Sequence, residues 1–387
     1  MHNRWFALAV LFVIRLTMAF QFQSVAAVAP LLGERFGVGL ADIGWLIGLY
    51  FAPGVALALP GGAIGRRLGD RPTVIVSLLL MLIGELAMAL SPSWPIQIAG
   101  RLVSGAGGVM FNVQLTKMVA DWFAGHEIAT AMAVFVNSWP AGVALSLVLL
   151  PLIATTFGVE AVYLAVAALI ALALVFFVIA YPSSPKAATA AGDSSWPGRT
   201  TFAALIVAGL IWGLFNVGLA TIFSFGPTML SERGWSVSTA GSAISIVLWL
   251  AVISVPLGGY VADRSRQPNL VLVCGCFISA LLMAILPRSD AVIPIVIAIG
   301  LLGGMPAGPI MSLPARILQP RTRAIGMGIF YTLYYATMML GPVVAGAVAK
   351  SNGQAAAALD VGTAVLFACP LLLWVFSRLP AAQPKMA

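Results

Sequence analysis

Residues 60–72 read PGGAIGRRLGDRP and place four charged residues between two long apolar runs. Residues 256–268 read PLGGYVADRSRQP, where two prolines again stand twelve residues apart around glycines and a charged turn. These two stretches are offset by 196 residues, and AMAVF at 131–135 recurs as GMGIF at 326–330 with an offset of 195. Two matches at nearly the same offset predict a chain built from two duplicated halves.

The composition indicates that lipid, rather than water, surrounds most of the chain. Of 387 residues, 61% are hydrophobic and 8% are charged, and the mean hydropathy is +1.04. In soluble domains, charged residues make up roughly a quarter of the chain. Apolar runs of about 20 residues, the length that crosses a membrane as a helix, recur throughout, whereas the ten-residue alternating segments of a membrane β-barrel are not visible. The sequence predicts an all-α membrane protein with twelve transmembrane helices, at about 6–29, 41–60, 73–91, 96–118, 128–155, 160–181, 201–223, 237–258, 269–287, 291–315, 325–348 and 357–377.

The connecting segments predict how the halves and the termini are arranged. A Pro/Ser/Ala-rich stretch follows the sixth span and has the composition of a flexible linker. We therefore expect an N-terminal six-helix bundle at 1–181, a cytoplasmic linker at 182–200 and a C-terminal bundle at 201–387. Lys and Arg accumulate on the cytoplasmic side of membranes. If both termini lie on the cytoplasmic side of a plasma or inner membrane, fourteen of the 20 Lys and Arg residues are cytoplasmic. The net charge of +8 then reflects topology, and no nucleic-acid partner is expected.

The two charged turns follow the second and eighth predicted spans, and the first resembles a loop motif written G-x-L-A-D-R-x-G-R-R. The major facilitator superfamily of secondary transporters carries this motif between helices two and three, with a degenerate copy between eight and nine. The chain resembles that family over essentially its whole length. The resemblance implies two six-helix halves that expose a central site alternately to each side of the membrane. The matching positions are Gly62, Ile64, Arg67, Gly69 and Arg71 in the first copy and Gly259, Val261, Ala262, Asp263 and Arg264 in the second. The residues interpreted as cytoplasmic gate loops are Gly62, Arg67, Gly69, Asp70, Arg71, Gly259, Asp263 and Arg264.

The first copy departs from the family motif in its charges. Arg66 stands at the acidic position, and Asp70 stands where the family has a base. The charge relay that the family motif implies therefore does not transfer unchanged, and Asp70 is predicted to pair with neighbouring arginines instead. The alternative for Arg66 and Arg71 is a solvated basic turn that serves topology only.

Arg15 lies in the middle of FALAVLFVIRLTMAF, with no other charge within ten residues on either side. An arginine at the bilayer centre costs about 2.5 to 3.5 kcal/mol on insertion scales, so it should face a cavity and have a partner. We interpret it as a counter-ion for a ligand, since a guanidinium holds a carboxylate by two parallel hydrogen bonds. The alternative is a structural arginine satisfied by backbone carbonyls or by Gln21 and Gln23.

A second arginine lies in RLVSGAG at 101–107, which resembles the R-x-x-x-G-x-G pattern of the family's fourth helix. Arg101, Gly105, Gly108 and Asn112 fall near one helical face, and glycines there let a neighbouring helix approach closely. That face predicts Arg101 to point inward as a second anion-binding group. Because Arg101 lies near the outer end of its span, snorkelling to the headgroups is the alternative.

Glu85 is the only acidic residue in the interior of a predicted span, away from its ends. It is the candidate for proton coupling, while the other interpretation is a peripheral side chain that faces a polar neighbour or the headgroups. Polar and aromatic residues of five spans outline a modest cavity, because aromatics with one polar end suit a pocket that closes around its ligand. Each of them taken singly also fits helix packing. The residues predicted to bind substrate are Arg15, Gln23, Arg101, Asn112, Asn137, Trp139, Trp212, Asn216, Tyr331, Tyr334 and Tyr335.

Two buried cations against one buried acid favour an anionic substrate. We therefore expect a symporter or exchanger for a small inorganic or organic anion, loosely similar to the cyanate and nitrate branches of the superfamily and driven by protons or by exchange. One alternative is a drug antiporter, although the fifth span has Trp139-Pro140 where that group has a Gly-Pro pair. The other is a transporter-like sensor that binds without transport.

Few other partners are expected from the sequence. No phosphate-binding glycine loop is found, and no metal or acid–base cluster, so we expect no enzymatic activity, no cofactor and no metal. The expected partners are the substrate, protons and membrane lipids, and the protein is expected to be a monomer.

Overall fold

The computed structural model describes residues 4–58, 68–123, 128–182, 196–319 and 321–382. Twelve helical spans run through these residues, with no strand among them, which confirms the predicted all-α class. Eleven spans are long and apolar enough to cross a membrane, and the remaining one, span 4, is a helix of 29 residues. The spans are Arg4–Ala26 (span 1), Leu40–Leu49 with Ala52–Leu57 (span 2), Asp70–Leu90 (span 3), Trp94–Trp122 (span 4), Ile128–Val136 with Ser138–Phe157 (span 5), Val159–Ala180 (span 6), Arg199–Glu232 (span 7), Val237–Ser265 (span 8), Pro268–Ile285 (span 9), Val292–Gly303 with Ala307–Met311 and Leu313–Ile317 (span 10), Arg323–Asn352 (span 11) and Ala356–Arg378 (span 12).

Spans 2, 5 and 10 are interrupted, and proline explains where. Proline has no N–H, so Pro53 cannot donate to the carbonyl of Leu49, and the first helix of span 2 ends there. Pro140 likewise leaves the carbonyl of Val136 without its helical donor in span 5. Span 10 is interrupted between Gly303 and the following Pro-rich segment. The three interruptions place irregular backbone inside spans 2, 5 and 10.

The two halves meet at the distal end of the bundle, where span 1 stops and span 2 starts, opposite the two termini. Span 2 lies directly on span 11, and a Cβ added to Gly48 would overlap the carbonyl oxygen of Met339. Span 5 lies in the same way on span 8, where a Cβ on Gly241 would overlap the carbonyl oxygen of Leu147. Glycine is required at such positions because it lets two helix backbones touch. The described structure is therefore closed at the distal end.

Gly48→Val is expected to open the distal end, because the added side chain overlaps the backbone of span 11. Pulsed-EPR distances between spin labels at positions 34 and 350, one on each half, would lengthen relative to the parent, in a background without the native cysteines. Gly39→Val is the matched control, since its extended backbone accepts valine and no atom lies within 3.9 Å of the added Cβ. An unchanged distance in Gly48→Val would contradict this account of the closed end.

Candidate functional site

A cavity of about 320 Å³ lies between the two halves. Its wall comes from spans 1, 2, 4 and 5 of the first half and from spans 7, 8, 10 and 11 of the second. The fold thus brings together residues that lie up to 323 positions apart, from Arg15 to Met338. Nine of the eleven residues predicted to bind substrate line this cavity: Arg15, Asn112, Asn137, Trp139, Trp212, Asn216, Tyr331, Tyr334 and Tyr335.

Arg15 lies on the cavity wall and is also held by protein groups. Its Nη1 donates to the carbonyl oxygens of Phe135 (3.0 Å) and Val136 (3.3 Å) and to Ser138 Oγ (3.0 Å). Its Nε and Nη2 both donate to Asn112 Oδ1, at 3.3 and 3.0 Å. The carbonyl of Val136 is available because Pro140 has no N–H to offer it. The structural alternative thus holds for Arg15 in part: backbone carbonyls of span 5 are partners, as that alternative allowed, while Gln21 and Gln23 bond elsewhere.

The charge of Arg15 is not neutralised by these contacts. All its hydrogen-bond partners are neutral, and its guanidinium also lies 4.5 Å from the centre of the Phe135 ring. Among the described residues of the cavity wall, no other side chain carries a formal charge. With 8% of its surface exposed, Arg15 therefore presents one uncompensated positive charge in a medium of low dielectric constant.

The rest of the wall is mostly aromatic and aliphatic. Trp212 stacks on Phe215 with ring centres 5.9 Å apart, and it lies 6.2 Å from Tyr334. Tyr334 in turn contacts Tyr335 edge to face at 5.1 Å. These rings lie together on spans 7 and 11 of the second half, whereas Arg15 lies on span 1 of the first. The cavity therefore offers a broad apolar face and one cationic point.

The three asparagines of the cavity differ in their partners. Asn216 Nδ2 donates to the carbonyl of Trp212 one turn earlier in the same helix. Asn137 Nδ2 donates across the halves to the carbonyl of Val252, at 3.4 Å. Asn112 is the one of the three that contacts Arg15, and its Nδ2 donates to Tyr335 Oη on span 11 at 3.3 Å.

Arg101 does not lie at the cavity, so the prediction that it contacts the substrate is not supported by its position. It is fully buried, and it donates to the carbonyls of Leu46 (3.0 Å), Gln21 (2.6 Å) and Phe22 (2.5 Å). The carbonyl of Leu46 is open to it because span 2 leaves its regular helical hydrogen bonding at Tyr50. Snorkelling is also wrong, because the guanidinium points into the first half.

Gln23 is likewise buried away from the cavity wall. Its Nε2 donates to the carbonyl of Phe223 on span 7, at 2.8 Å, so it links span 1 to the other half. Next to it, the ring of Phe22 lies 5.4 Å from that of Trp139 and 6.2 Å from that of Phe223. This aromatic cluster and the Gln23 bond hold the halves together, and the predicted substrate contact of Gln23 is replaced by an interhelical one.

Glu85 faces the interior of the first half rather than lipid or headgroups. It is fully buried, and its Oε2 accepts from Gln21 Nε2 at 2.9 Å. The same amide nitrogen donates to Ser104 Oγ and to the carbonyl of Met81. Among the described residues, Glu85 Oε1 has no hydrogen-bond partner, and Glu85 is the only carboxylate whose side chain is buried. Gln21 thus joins Glu85 to Arg101, through its side chain on one side and its backbone on the other.

The first gate loop is anchored to span 4 within the first half. Asp70 Oδ1 accepts from Gln114 Nε2 (2.6 Å) and from Lys117 Nζ (2.8 Å). Arg71 donates to a backbone carbonyl at the end of span 6, so of the neighbouring arginines predicted to pair with Asp70, Arg71 does not. The reason is that the first turn of span 3 points Asp70 toward span 4. The predictions for Gly62, Ile64, Arg66 and Arg67 concern residues outside the described ranges.

The remaining gate-loop residues lie at helix ends. Gly69 has a φ of 86°, a conformation that favours glycine, and it precedes span 3. In the second copy, Gly259 packs against Gly308 of span 10, where the added Cβ of Gly308 would lie 3.2 Å from its Cα. Asp263 and Arg264 are exposed in the last turn of span 8. The two copies thus have different surroundings, although their sequences match.

Most of the aliphatic wall, including every wall residue of spans 2, 8 and 10, was not predicted from the sequence. A signal existed for span 10, because GGMPAGP at 303–309 concentrates glycine and proline inside an apolar run. For single apolar residues such as Met18, the sequence does not indicate whether the side chain lines the cavity or packs in the core. The wall residues that were missed include Met18, Phe51, Thr116, Phe215, Phe223, Gly304, Ala307 and Met338.

Comparison with known proteins gives the family. The profile of the Major Facilitator Superfamily matches residues 11–287 and 201–386. The chain is 24% identical over 361 residues to solute carrier family 49 member A3 of Danio rerio, covering 85% of this chain and 75% of that one. It is 23% identical to the 3-(3-hydroxy-phenyl)propionate transporter of Escherichia coli K12, over 96% of this chain and 94% of the relative.

Two further similarities concern another transporter and a solved structure. The hexuronate transporter of Bacillus subtilis is 27% identical over 62% of this chain and 60% of the relative. The crystal structure of the nucleoside transporter NupG superposes with a TM-score of 0.77 over 97% of this chain and all of that one, at 15% sequence identity. That similarity shows the fold. Because the family profile matches along the chain and the fold agrees, this protein belongs to the major facilitator superfamily and is a multi-pass membrane transporter.

Proposed function

We propose that the protein is a secondary transporter that carries a small organic anion by alternating exposure of the central cavity. The observation that carries this proposal is Arg15, the one charged side chain on the described cavity wall, whose partners are all neutral. A buried charge without a counter-charge attracts an anion strongly, because the surrounding medium screens it little.

The size and lining of the cavity favour an organic anion over an inorganic one. Its volume of about 320 Å³ is comparable with small-molecule sites, which start at about 300 Å³. An ion of the size of nitrate or cyanate would leave most of the aromatic wall without a contact. Two similar proteins are named for substrates that carry a carboxylate, a hydroxyphenylpropionate and a hexuronate, and this supports the same class here.

The transport cycle follows from the closed distal end. We place the protein in a cell membrane with both termini on the cytoplasmic side. The distal end then faces outside, and the described state is closed on that side. A bound anion offsets the charge of Arg15, and the bundles at 1–181 and 201–387 then rock about the central cavity, so that the glycine contacts closing the distal end separate. Residues 182–200 link the bundles, and the monomer is the working unit.

Glu85 is the proposed site of proton coupling, because among the described residues it is the buried carboxylate of the first half and one of its oxygens has no hydrogen-bond partner there. Glu85→Gln is expected to abolish the stimulation of uptake by an imposed pH gradient while substrate exchange continues in proteoliposomes. Glu160→Gln is the control, since Glu160 is a half-exposed acid paired with Arg35 at the distal surface. If uptake by Glu85→Gln still responded to the gradient, proton coupling through this residue would be rejected.

A thermal-shift screen of the purified protein tests the substrate class. We expect stabilisation by small organic carboxylates and none by neutral solutes of the same shape, because ligands that bind the folded state raise its unfolding temperature. Stabilisation by lipophilic cations alone would replace the proposal with drug antiport. Binding of a carboxylate without its uptake into proteoliposomes would indicate a sensor.

A further inference from the structure

The side of the Arg15 guanidinium formed by Nε and Nη2 is occupied by one neutral oxygen. In proteins this edge holds a carboxylate by two parallel hydrogen bonds. Here Asn112 Oδ1 accepts from both nitrogens, at 3.3 and 3.0 Å. An amide oxygen carries a partial charge only, so this arrangement fills the position of a carboxylate without neutralising the guanidinium.

The opposite nitrogen of Arg15 is committed to the protein. Nη1 donates to two carbonyls and one hydroxyl of span 5, which fix the position of the guanidinium. Span 5 thereby holds one side of Arg15, and the other side faces Asn112, which itself lines the cavity. The Nε and Nη2 edge is therefore the part of Arg15 that a ligand in the cavity can take over.

We propose that Asn112 stands in for the carboxylate of the ligand, and that a singly charged carboxylate with a flat apolar body displaces Asn112 Oδ1 from Arg15. This inference rests on the proposed function. A single charge is specified because the described wall offers no second charged side chain to pair with another carboxylate or with an ammonium group. A flat body is specified because the rings of Trp212, Phe215 and Tyr334 lie together on the cavity wall of the second half.

The displacement also changes a contact between the halves. Asn112 Nδ2 donates to Tyr335 Oη on span 11, so the same amide contacts Arg15 and the second half. When the ligand takes the arginine edge, the amide is no longer held in the orientation that makes this bond. Binding and the release of one link between the halves are thus coupled through one side chain.

The test measures binding of 3-phenylpropionate to the full-length protein, with 3-phenylpropan-1-ol as the neutral probe and phenylsuccinate as the doubly charged one. Asn112→Asp supplies a permanent carboxylate to Arg15 and is expected to weaken 3-phenylpropionate binding by at least about 100-fold, since two charge-assisted hydrogen bonds are lost and each is worth roughly tenfold. Asn216→Asp, which adds the same charge to the same cavity away from the Arg15 edge, is expected to weaken it by a clearly smaller factor. Asn112→Ala, which uncovers the edge, is expected to tighten binding.

Separate results test the inference and the proposed function. If Asn112→Asp and Asn216→Asp weaken binding equally, or if Asn112→Ala loosens it, Asn112 does not occupy the ligand position, although anion transport stands. If phenylsuccinate binds as tightly as 3-phenylpropionate, the single-charge rule is wrong. If the parent protein binds the neutral probe and neither carboxylate, both the inference and the proposed function are overturned. The Asn112→Ala result decides the matter should Asn112→Asp fail to fold.

Discussion

Arg15→Met is expected to abolish binding and transport of the anion while the protein remains folded. The change removes the one formal charge on the described cavity wall. Each hydrogen bond to a charged group contributes about 1.5 to 3 kcal/mol, so losing a two-bond carboxylate contact weakens binding by at least about 100-fold. Arg15→Lys is expected to reduce transport sharply as well, because an ammonium is a point charge that cannot hold a carboxylate in the same two-bond geometry. Uptake into proteoliposomes and isothermal titration measure both effects.

Arg35→Met is the matched control for Arg15→Met, because it removes the same charge from a partly exposed side chain at the distal surface. It is expected to leave binding near that of the parent, since an ion pair at the surface contributes at most about 1 kcal/mol. Uptake by Arg15→Met or Arg15→Lys at the parental rate would contradict the assignment of Arg15 as the anion site. In that event Arg15 would serve only to tie span 1 to the break in span 5.

Arg101→Met is expected to destabilise the first half rather than to alter substrate recognition. Arg101 is fully buried and joins span 1 to span 2 by donating to backbone carbonyls. Among the described residues, the one other side chain that donates to these carbonyls is Ser24, whose hydroxyl bonds to the Gln21 carbonyl. Removing the guanidinium leaves buried carbonyls without their donor, and each such group costs about 1 to 3 kcal/mol. We expect a large drop in the thermal unfolding temperature in detergent, with the dissociation constant of the remaining folded protein nearly unchanged.

Arg101→Lys separates charge from geometry at this position. One ammonium cannot reach three carbonyls on two spans, so Lys is expected to recover only part of the lost stability. Arg15→Met provides the comparison, because Arg15 lies on a cavity wall and its loss should destabilise the fold much less. A variant Arg101→Met that unfolds at the parental temperature but no longer binds the anion would show that Arg101 acts on the ligand after all.

The sequence predicted the cavity better than it predicted the roles of the two arginines. Periodic aromatic and polar positions such as Trp212 with Asn216, and Tyr331 with Tyr334, mark a helix face whatever that face contacts. In a transporter built from two halves, such faces converge on one cavity, and these four residues do line it. The sequence marks Arg101 as strongly as Arg15, because placing either arginine in lipid costs a similar free energy. The helix face that carries Arg101, however, is turned into the first half and away from the cavity.

Sequence by itself determined the twelve spans, the duplication and the need of each buried arginine for partners, because hydrophobic length and the cost of a charge in lipid are local properties. Tertiary structure alone decided which partners those arginines obtain. The carbonyls of Val136 and Leu46 are open only because spans 5 and 2 are interrupted there, and they lie 121 and 55 positions from the arginines that use them. Every residue has a backbone carbonyl, so no sequence pattern indicates which carbonyl will accept a hydrogen bond from a charged side chain on a distant helix.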